Sequence, residues 1–244
     1  YGSSLLNRPT VKKLKKIYSV PVHFLCYFLV LFSSIPSIVV IFNSFRNTSG
    51  PVFKPGFGID SYRRIIGDVP DAIFNSFMFS IASVAMVVVL GTLIGYVIAR
   101  KQSFVTDILD SMIMIPYIVP GIVLGLGLIV SYNSKPLVLV GTPLIIILAI
   151  FIRRLPYSVR SSSSILKQIR TGVEEAAINL GTIPSKAFIK ITLPLMMPGV
   201  IAGALMAFVT AINELSSSII LYVGGTVTMP CLLYTSDAAD DIPG

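Results

Sequence analysis

Residues 74–98 read FNSFMFSIASVAMVVVLGTLIGYVI and contain no Asp, Glu, Lys or Arg. A helix rises about 1.5 Å per residue, so about 20 apolar residues cross a hydrocarbon core about 30 Å thick. This stretch is long enough to span a bilayer, and three further charge-free stretches of the chain are also long enough. The sequence therefore predicts an all-α, polytopic helical membrane protein.

The overall composition supports this prediction. The 244 residues are 54% hydrophobic and only 12% charged, whereas soluble domains carry about 25% charged residues. These values exclude a soluble globular protein and a disordered chain, and the presence of only two cysteines excludes a disulfide scaffold. The net charge of +8 comes from cations at the edges of apolar stretches. That pattern is typical of membrane flanks in contact with lipid, and no nucleic-acid partner is expected.

The charge-free stretches also predict where the chain crosses the membrane. We expect five spans, at about 18–42, 74–98, 111–130, 136–152 and 191–212. The fourth is short, but including it makes the connecting segments alternate in charge, with fourteen Lys and Arg on one side and five on the other. The positive-inside rule then places segment 1–17 and loop 153–190 in the cytoplasm.

Glycine and proline positions predict how the spans pack. Small residues recur at four-residue spacing, which favours close helix contacts in lipid; they are Gly91 and Gly95, Gly121 and Gly125, and Gly199 and Gly203. Prolines are expected to kink or break the third and fifth spans; they are Pro116, Pro120, Pro194 and Pro198.

The loop 153–190 has a helical pattern of its own. Apolar residues from Ile165 to Leu180 recur on one face of an amphipathic helix, with Glu174 and Glu175 at its rim. Gly181 stands where a residue with positive φ would end that helix. Thr182 or Ser185 is expected to start a second short helix. From the residues alone, a docking element and a simple connection between two spans fit this pattern equally well.

One stretch of this loop resembles a known family. Glu175-Ala176-Ala177 is followed after three residues by Gly181, and after nine more by Ile191, with Leu193-Pro194 close behind. The spacing resembles the EAA loop of permease subunits in type I, binding-protein-dependent ABC importers. The similarity to that family extends from about Asn75 to Pro230.

The resemblance implies partners and a set of contact residues. In that family the loop forms a helix that docks on a cytoplasmic ATPase subunit, so Glu175, Ala176, Ala177 and Gly181 are carried over as ATPase contacts. It also implies a second permease subunit, identical or homologous, and an extracytoplasmic solute-binding protein. The chain has no G-x-x-x-x-G-K-[ST] phosphate loop, so it is predicted to be a transport subunit without enzymatic activity or cofactor, whose ATP is hydrolysed by a partner.

Segments 211–216, 219–222 and 228–230 look most like the ferric-iron permeases, with polyamine and aminoethylphosphonate permeases as alternatives. Within the first of them, Asn213 and Glu214 are candidates for the translocation path, because an ionisable residue at membrane depth is often functional. The alternative interpretation, favoured by its place at the edge of a span, is that Glu214 is a helix-end carboxylate facing water.

Other functional classes lack the groups they need. The lone His23 is expected to form a hydrogen bond inside the bundle, and no cluster of His, Cys or carboxylates has the spacing of a metal site. An intramembrane protease would need a Ser–His pair or paired Asp residues at depth. An ATP-independent secondary transporter stays as the weaker alternative, since inverted repeats and several buried charges are not visible.

The end of the chain departs from the family pattern. Family members usually have a sixth span after the position of Pro230, whereas the chain continues into a stretch with three acidic residues and no apolar run. We expect the sixth span to be missing by truncation and residues 232–244 to be a non-native tail.

Overall fold

The computed structural model describes residues 16–49, 52–101 and 103–240, which divide into two compact units at 1–68 and 69–244. In the first unit, α1 (Lys16–Ser44) covers the predicted first span. A short antiparallel hairpin follows, β1 (Arg46–Ser49) and β2 (Val52–Phe57), and then α2 (Asp60–Asp68). Residues 1–15 of the predicted N-terminal segment lie outside the described residues.

In the part that the structure describes, the second unit consists of helices joined by loops, without strands. Its elements in chain order are α3 (Pro70–Arg100), α4 (Phe104–Ile118), α5 (Gly121–Tyr132), α6 (Pro143–Gln168), α7 (Gly172–Asn179), α8 (Pro184–Ala187), a π-helical turn (Phe188–Thr192), α9 (Leu193–Ile212), α10 (Ser218–Leu221), a 3-10 turn (Gly224–Thr226) and α11 (Met229–Asp240). The predicted second and fifth spans correspond to α3 and α9.

Helix α6 packs against both α3 and α9, and glycines make the close approach possible. A Cβ atom on Gly91 of α3 would lie 2.6 Å from Cβ of Ser158, and one on Gly203 of α9 would lie 3.0 Å from Cβ of Ser161. Both distances are too short for a real side chain to occupy without displacement. The predicted role of these glycines in helix packing is confirmed.

The predicted third span at 111–130 is not one straight helix. Two helices, α4 and α5, take its place and meet at an angle of 105°. Val119 adopts an extended conformation with ψ 131°, as expected for the residue before a proline, and Pro120 has no N–H to continue the helix. The break that the prolines predicted is therefore at Pro120, whereas Pro116 lies inside α4.

The predicted boundaries of the fourth span need correction. Residues 136–142 are not helical, and α6 begins at Pro143 and continues past Arg153 to Gln168. Gly141, at φ 84°, provides the turn before Pro143, whose fixed φ suits the first position of a helix. The predicted loop 153–190 therefore begins with half of a long helix. The amphipathic helix expected from Ile165 is interrupted between Gln168 and Gly172.

Length and composition mark three helical stretches of the described residues as candidate spans, 18–44, 70–100 and 184–212. The bent pair of α4 and α5 would make a fourth. Three arginines within residues 143–160 set α6 apart from these, so the count of five spans stays a prediction. The expected non-native tail at 232–244 begins inside α11 and also stays a prediction, with residues 241–244 outside the described residues.

Candidate functional site

The segment from Gly172 to Ala187 forms a short helical projection. Helix α7 ends at Asn179, and Gly181, which follows the C-cap Leu180, has a φ of 88° that confirms it as the predicted C′ residue. The N–H of Thr182 donates to the carbonyl of Ala177 at 3.0 Å, and the N–H of Gly181 donates to that of Ile178 at 2.9 Å. These two bonds make a Schellman motif, which satisfies the last carbonyls of the helix and turns the chain towards α8.

The residues carried over as ATPase contacts lie together on this projection. Glu175, Ala176 and Gly181 are exposed and Ala177 is half-buried. Beside them Leu180 is 87% exposed, which leaves an apolar side chain open to a partner. The second short helix, α8, starts at Pro184 with Ile183 as its N-cap. The expected start at Thr182 or Ser185 is wrong, because Ile183 takes the N-cap position and the fixed φ of Pro184 suits the first helical residue.

Glu174 does not share the exposed position of its neighbour Glu175. Its side chain was expected at the exposed rim, but it is buried. Tyr96 of α3 donates a hydrogen bond of 2.5 Å to Oε1 of Glu174, and Nε of Arg100 lies 3.5 Å from Oε2. The ring of Tyr96 also meets Phe188 edge-on, with centroids 4.7 Å apart. Glu174 therefore fastens α7 to the end of α3.

Glu214 lies at the centre of a buried ion-pair cluster. Its side chain is 2% exposed, Nη1 of Arg153 lies 2.9 Å from Oε1, and Nη2 of Arg154 contacts Oε2. Ser217 adds two hydrogen bonds to Oε1 through its backbone N–H and its hydroxyl, both at 3.1 Å. The favoured interpretation of Glu214 as a carboxylate facing water is therefore wrong.

The cluster lies deep along the helices that hold it. Helices α3 and α6 run parallel, since Gly91 meets Ser158 and Gly95 meets Ser162, both pairs separated by 67 positions. The same separation puts Arg154 level with Val87, near the middle of the charge-free stretch 74–98. Charges at that depth are costly unless paired. The ion pairs with Glu214 provide that pairing.

The broken helix meets this cluster. A Cβ atom on Gly121, the first residue of α5, would overlap Arg153 and Ser216. Asn213, in contrast, is exposed, and its Nδ2 donates to the carbonyl of Val209 at 2.9 Å. The two residues proposed together for the translocation path thus have different surroundings.

Sequence reasoning treated Arg153 and Arg154 as the edge of a loop and missed their place in the cluster. A signal was present, because a lone carboxylate in a long apolar stretch requires a cationic partner at the same depth.

Among the described residues no group of three or more His, Cys, Asp or Glu could hold a metal ion. The exposed His23 donates from Nδ1 to the carbonyl of Ser19 at 2.6 Å, within its own helix and not inside the bundle as expected.

The family profile described as "Binding-protein-dependent transport system inner membrane component" matches residues 91–238. The chain belongs to this family. The matched region contains the α7 projection, α6 with its arginines, and Glu214. Together with the apolar helices, it identifies a multi-pass inner-membrane transport component and confirms the resemblance found on the EAA spacing.

Named relatives of this transport component differ in solute. A putative ferric transport system permease protein, FbpB 1 of Haemophilus influenzae, is 28% identical over 155 residues, which are 64% of the chain and 24% of that relative. The putrescine permease PotI of Escherichia coli K12 is 27% identical and covers 82% of the chain and 74% of PotI. The putative 2-aminoethylphosphonate permease PhnV of Salmonella paratyphi A is 22% identical and covers 84% and 78%. The chain thus spans about a quarter of the length of the ferric permeases it matches.

Solved structures share the fold of the transport component. A bacterial ABC transporter that imports alginate aligns with a TM-score of 0.67 at 15% identity, covering 95% of the chain and 84% of that structure. The methionine transporter MetNI in an inward-facing form aligns with a TM-score of 0.56 at 18% identity, covering 70% and 81%. At these identities the comparison supports the helical permease fold alone.

Proposed function

We propose that the chain is the membrane-embedded permease subunit of a type I ABC importer, which forms the solute path and couples it to a separate ATPase. The observation that carries the proposal is the α7 projection. It exposes Glu175, Ala176 and Leu180, while Glu174 holds the same helix to α3. A push on the projection is therefore transmitted to a long apolar helix.

The proposed orientation places the projection in the cytoplasm of a bacterium, with the N-terminus on the same side of the inner membrane. The Lys and Arg distribution supports it. Arg153 and Arg154 lie at membrane depth and are set aside. The proposed cytoplasmic side then carries twelve Lys and Arg instead of fourteen, and the opposite side carries five. The bias keeps its sign and therefore supports the proposed orientation.

The proposed assembly contains two permease subunits, two cytoplasmic ATPase subunits and an extracytoplasmic solute-binding protein. The family description refers to a binding protein, and one related structure is the alginate transporter in complex with its substrate-bound periplasmic protein. Residues Glu175, Ala176, Ala177 and Gly181 form the ATPase contact in this assembly, and Glu214 and Asn213 lie by the path. Whether the two permeases are identical does not affect this arrangement.

For the solute we propose ferric iron. Support comes from the sequence of 211–216 and 219–222, which resembles ferric permeases, and from the relatives named as ferric transport permeases. Putrescine and 2-aminoethylphosphonate are the alternatives, since relatives named for them match a larger share of the chain.

The coupling proposal is tested by Glu175→Lys in the complete importer in cells. We expect less ATPase subunit to co-purify with the chain and uptake of radioactive ferric iron to fall, because reversing an exposed charge at a contact disturbs docking. Asp68→Lys, at another exposed carboxylate, is the matched control. Normal ATPase binding and uptake in Glu175→Lys would contradict the proposal. Uptake that survives ATP depletion but stops when the ion gradient collapses would favour a secondary transporter.

A further inference from the structure

A groove of about 710 Å³ lies between α4 and α6, apart from the residues carried over for ATPase contact and from Asn213. Met114 and Pro156 make part of its lining apolar, and the hydroxyl and cationic groups come mainly from α6. The α6 wall contributes Tyr157, Arg160, Ser161, Ser164 and Lys167, and the α4 wall includes Tyr117. The rings of Tyr117 and Tyr157 meet edge-on with centroids 5.7 Å apart and bridge the two helices.

The polar wall is one face of α6. Arg153, Tyr157, Arg160, Ser164 and Lys167 follow one another at steps of four, three, four and three positions. Residues at that spacing lie above one another on a helix. The groove therefore continues in the direction of the arginines that hold Glu214.

This face of α6 extends from the middle of α3 to its C-terminal end. Arg154 is level with Val87, and Nη1 of Arg100 donates to the carbonyl of Ile169 at 3.3 Å, so Lys167 is level with the end of α3. Cations on a helix at such depths face a bundle interior or a water-filled cavity, and not lipid. The groove therefore fits a hydrated path.

The charges along this face do not cancel. Arg160 pairs with Asp110 of α4 at 3.0 Å, and Arg153 and Arg154 share Glu214. Lys167 has no ion pair within the part of the chain that the structure describes. The buried Nε atoms of Arg153 and Arg154 also donate to no described partner. With the adjacent Arg154 included, four cations thus meet two carboxylates, Glu214 and Asp110, and no carboxylate lines the groove itself.

We propose that this cationic face of α6 conducts the solute as an anion. The inference rests on the proposed function as a permease and names the charge class of its solute. Ferric iron would cross as a complex with anionic ligands whose net charge is negative. A polyamine cation would be repelled along this face, because a groove lined by one sign of charge raises the local concentration of the opposite sign and lowers that of the same sign.

Cysteine labelling measures the sign of the potential directly. In the complete importer with Cys26→Ser, the exposed Ser164 is replaced by cysteine, while Cys231 stays because it is buried. The cysteine is labelled in separate reactions with anionic sulfonatoethyl and cationic trimethylammonioethyl methanethiosulfonate. The rate of each reagent is divided by its rate with a free thiol in solution, and the two normalised rates are compared as a ratio. We expect the anionic reagent to react about tenfold faster. Equal rates, or faster reaction of the cationic reagent, would overturn the proposal.

Two substitutions show whether the named cations cause the preference. Lys167→Gln is expected to lower the rate ratio several-fold, whereas Lys135→Gln, at an exposed lysine in the α5–α6 loop, leaves it unchanged. An equal effect of both would contradict the assignment to α6.

An anionic solute on its binding protein should protect Ser164→Cys from the reagent. Protection by phosphatidylglycerol vesicles without solute would overturn the solute assignment in favour of a lipid headgroup.

The same preparation separates the two proposals. ATPase subunits that stay bound while the reagent preference reverses would refute the anionic path and leave the permease function standing. Loss of ATPase association from the unsubstituted chain, with the anionic preference retained, would refute the permease proposal and leave the electrostatics of the groove unaffected.

Discussion

Replacing Glu214 by glutamine tests the buried ion-pair cluster. The substitution keeps the size and shape of the side chain but leaves Arg153 and Arg154 without a counter-charge. Their side chains are only 14% and 11% exposed, and Glu214 itself is 2% exposed, so water cannot replace the lost partner. Removing one partner of a buried ion pair costs about 3–5 kcal/mol. We expect Glu214→Gln to destabilise the folded chain by about that amount.

A second substitution separates the charge effect from loss of packing. If uncompensated charge is the cause, Glu214→Gln combined with Arg154→Gln is less destabilised than the sum of the single variants, by about 0.5–3 kcal/mol. Asp68→Asn is the matched control, since it makes the same change from carboxylate to amide at an exposed residue.

The unfolding equilibrium is measured in mixed micelles titrated with dodecyl sulfate and followed by circular dichroism, with the double variant and the control in the same series. An unchanged midpoint for Glu214→Gln, or additive effects of the two glutamines, would refute the reasoning. Either result would mean that the arginines reach water or that their ion pairs with Glu214 do not stabilise the fold.

Three further predictions follow from packing and backbone geometry. Gly91→Ala forces a Cβ to within 2.6 Å of Ser158 and should lower the free energy of unfolding, measured in the same titration, by about 1–3 kcal/mol. Gly127→Ala, with open space around it, should not lower it. Equal effects of the two substitutions would contradict the proposed packing. Gly181→Ala strains a residue at φ 88° by about 1–2 kcal/mol, and should reduce co-purified ATPase without loss of folded chain. Glu174→Gln loosens α7 from α3, so solute-stimulated ATP hydrolysis should continue while uptake falls; a proportional loss of both would argue against a transmitting role.

Local rules predicted the features that are decided by neighbouring residues. Gly181 was placed as a C′ residue because glycine tolerates positive φ at no steric cost, and the structure forms the full Schellman motif there. The break at Pro120 follows from the missing N–H of proline. The close packing of Gly91 follows from small residues at four-residue spacing. Each of these requires only a short window of sequence.

Contacts between distant parts of the chain were not predictable in this way. Glu174 and Glu175 are chemically identical neighbours, yet one is buried and the other exposed. The difference arises because Tyr96 and Arg100, more than seventy positions earlier, meet only the first of them. Helical periodicity gives the face of α7 but not the partner that covers it. The anchoring of the projection therefore emerges only in three dimensions.

Two anomalies in the sequence have a single cause in α6. The charge-free stretch before Arg153 is too short for a comfortable span, and Glu214 is an isolated acid beside a long apolar stretch. Both are explained if the helix continues through its arginines and Glu214 pairs with both of them, since 26 residues of α6 extend about 39 Å. Charge-gap counting assumes that every arginine ends a span. That assumption fails wherever an opposite charge on another helix lies at the same depth, so a short gap and a lone acid should be considered together.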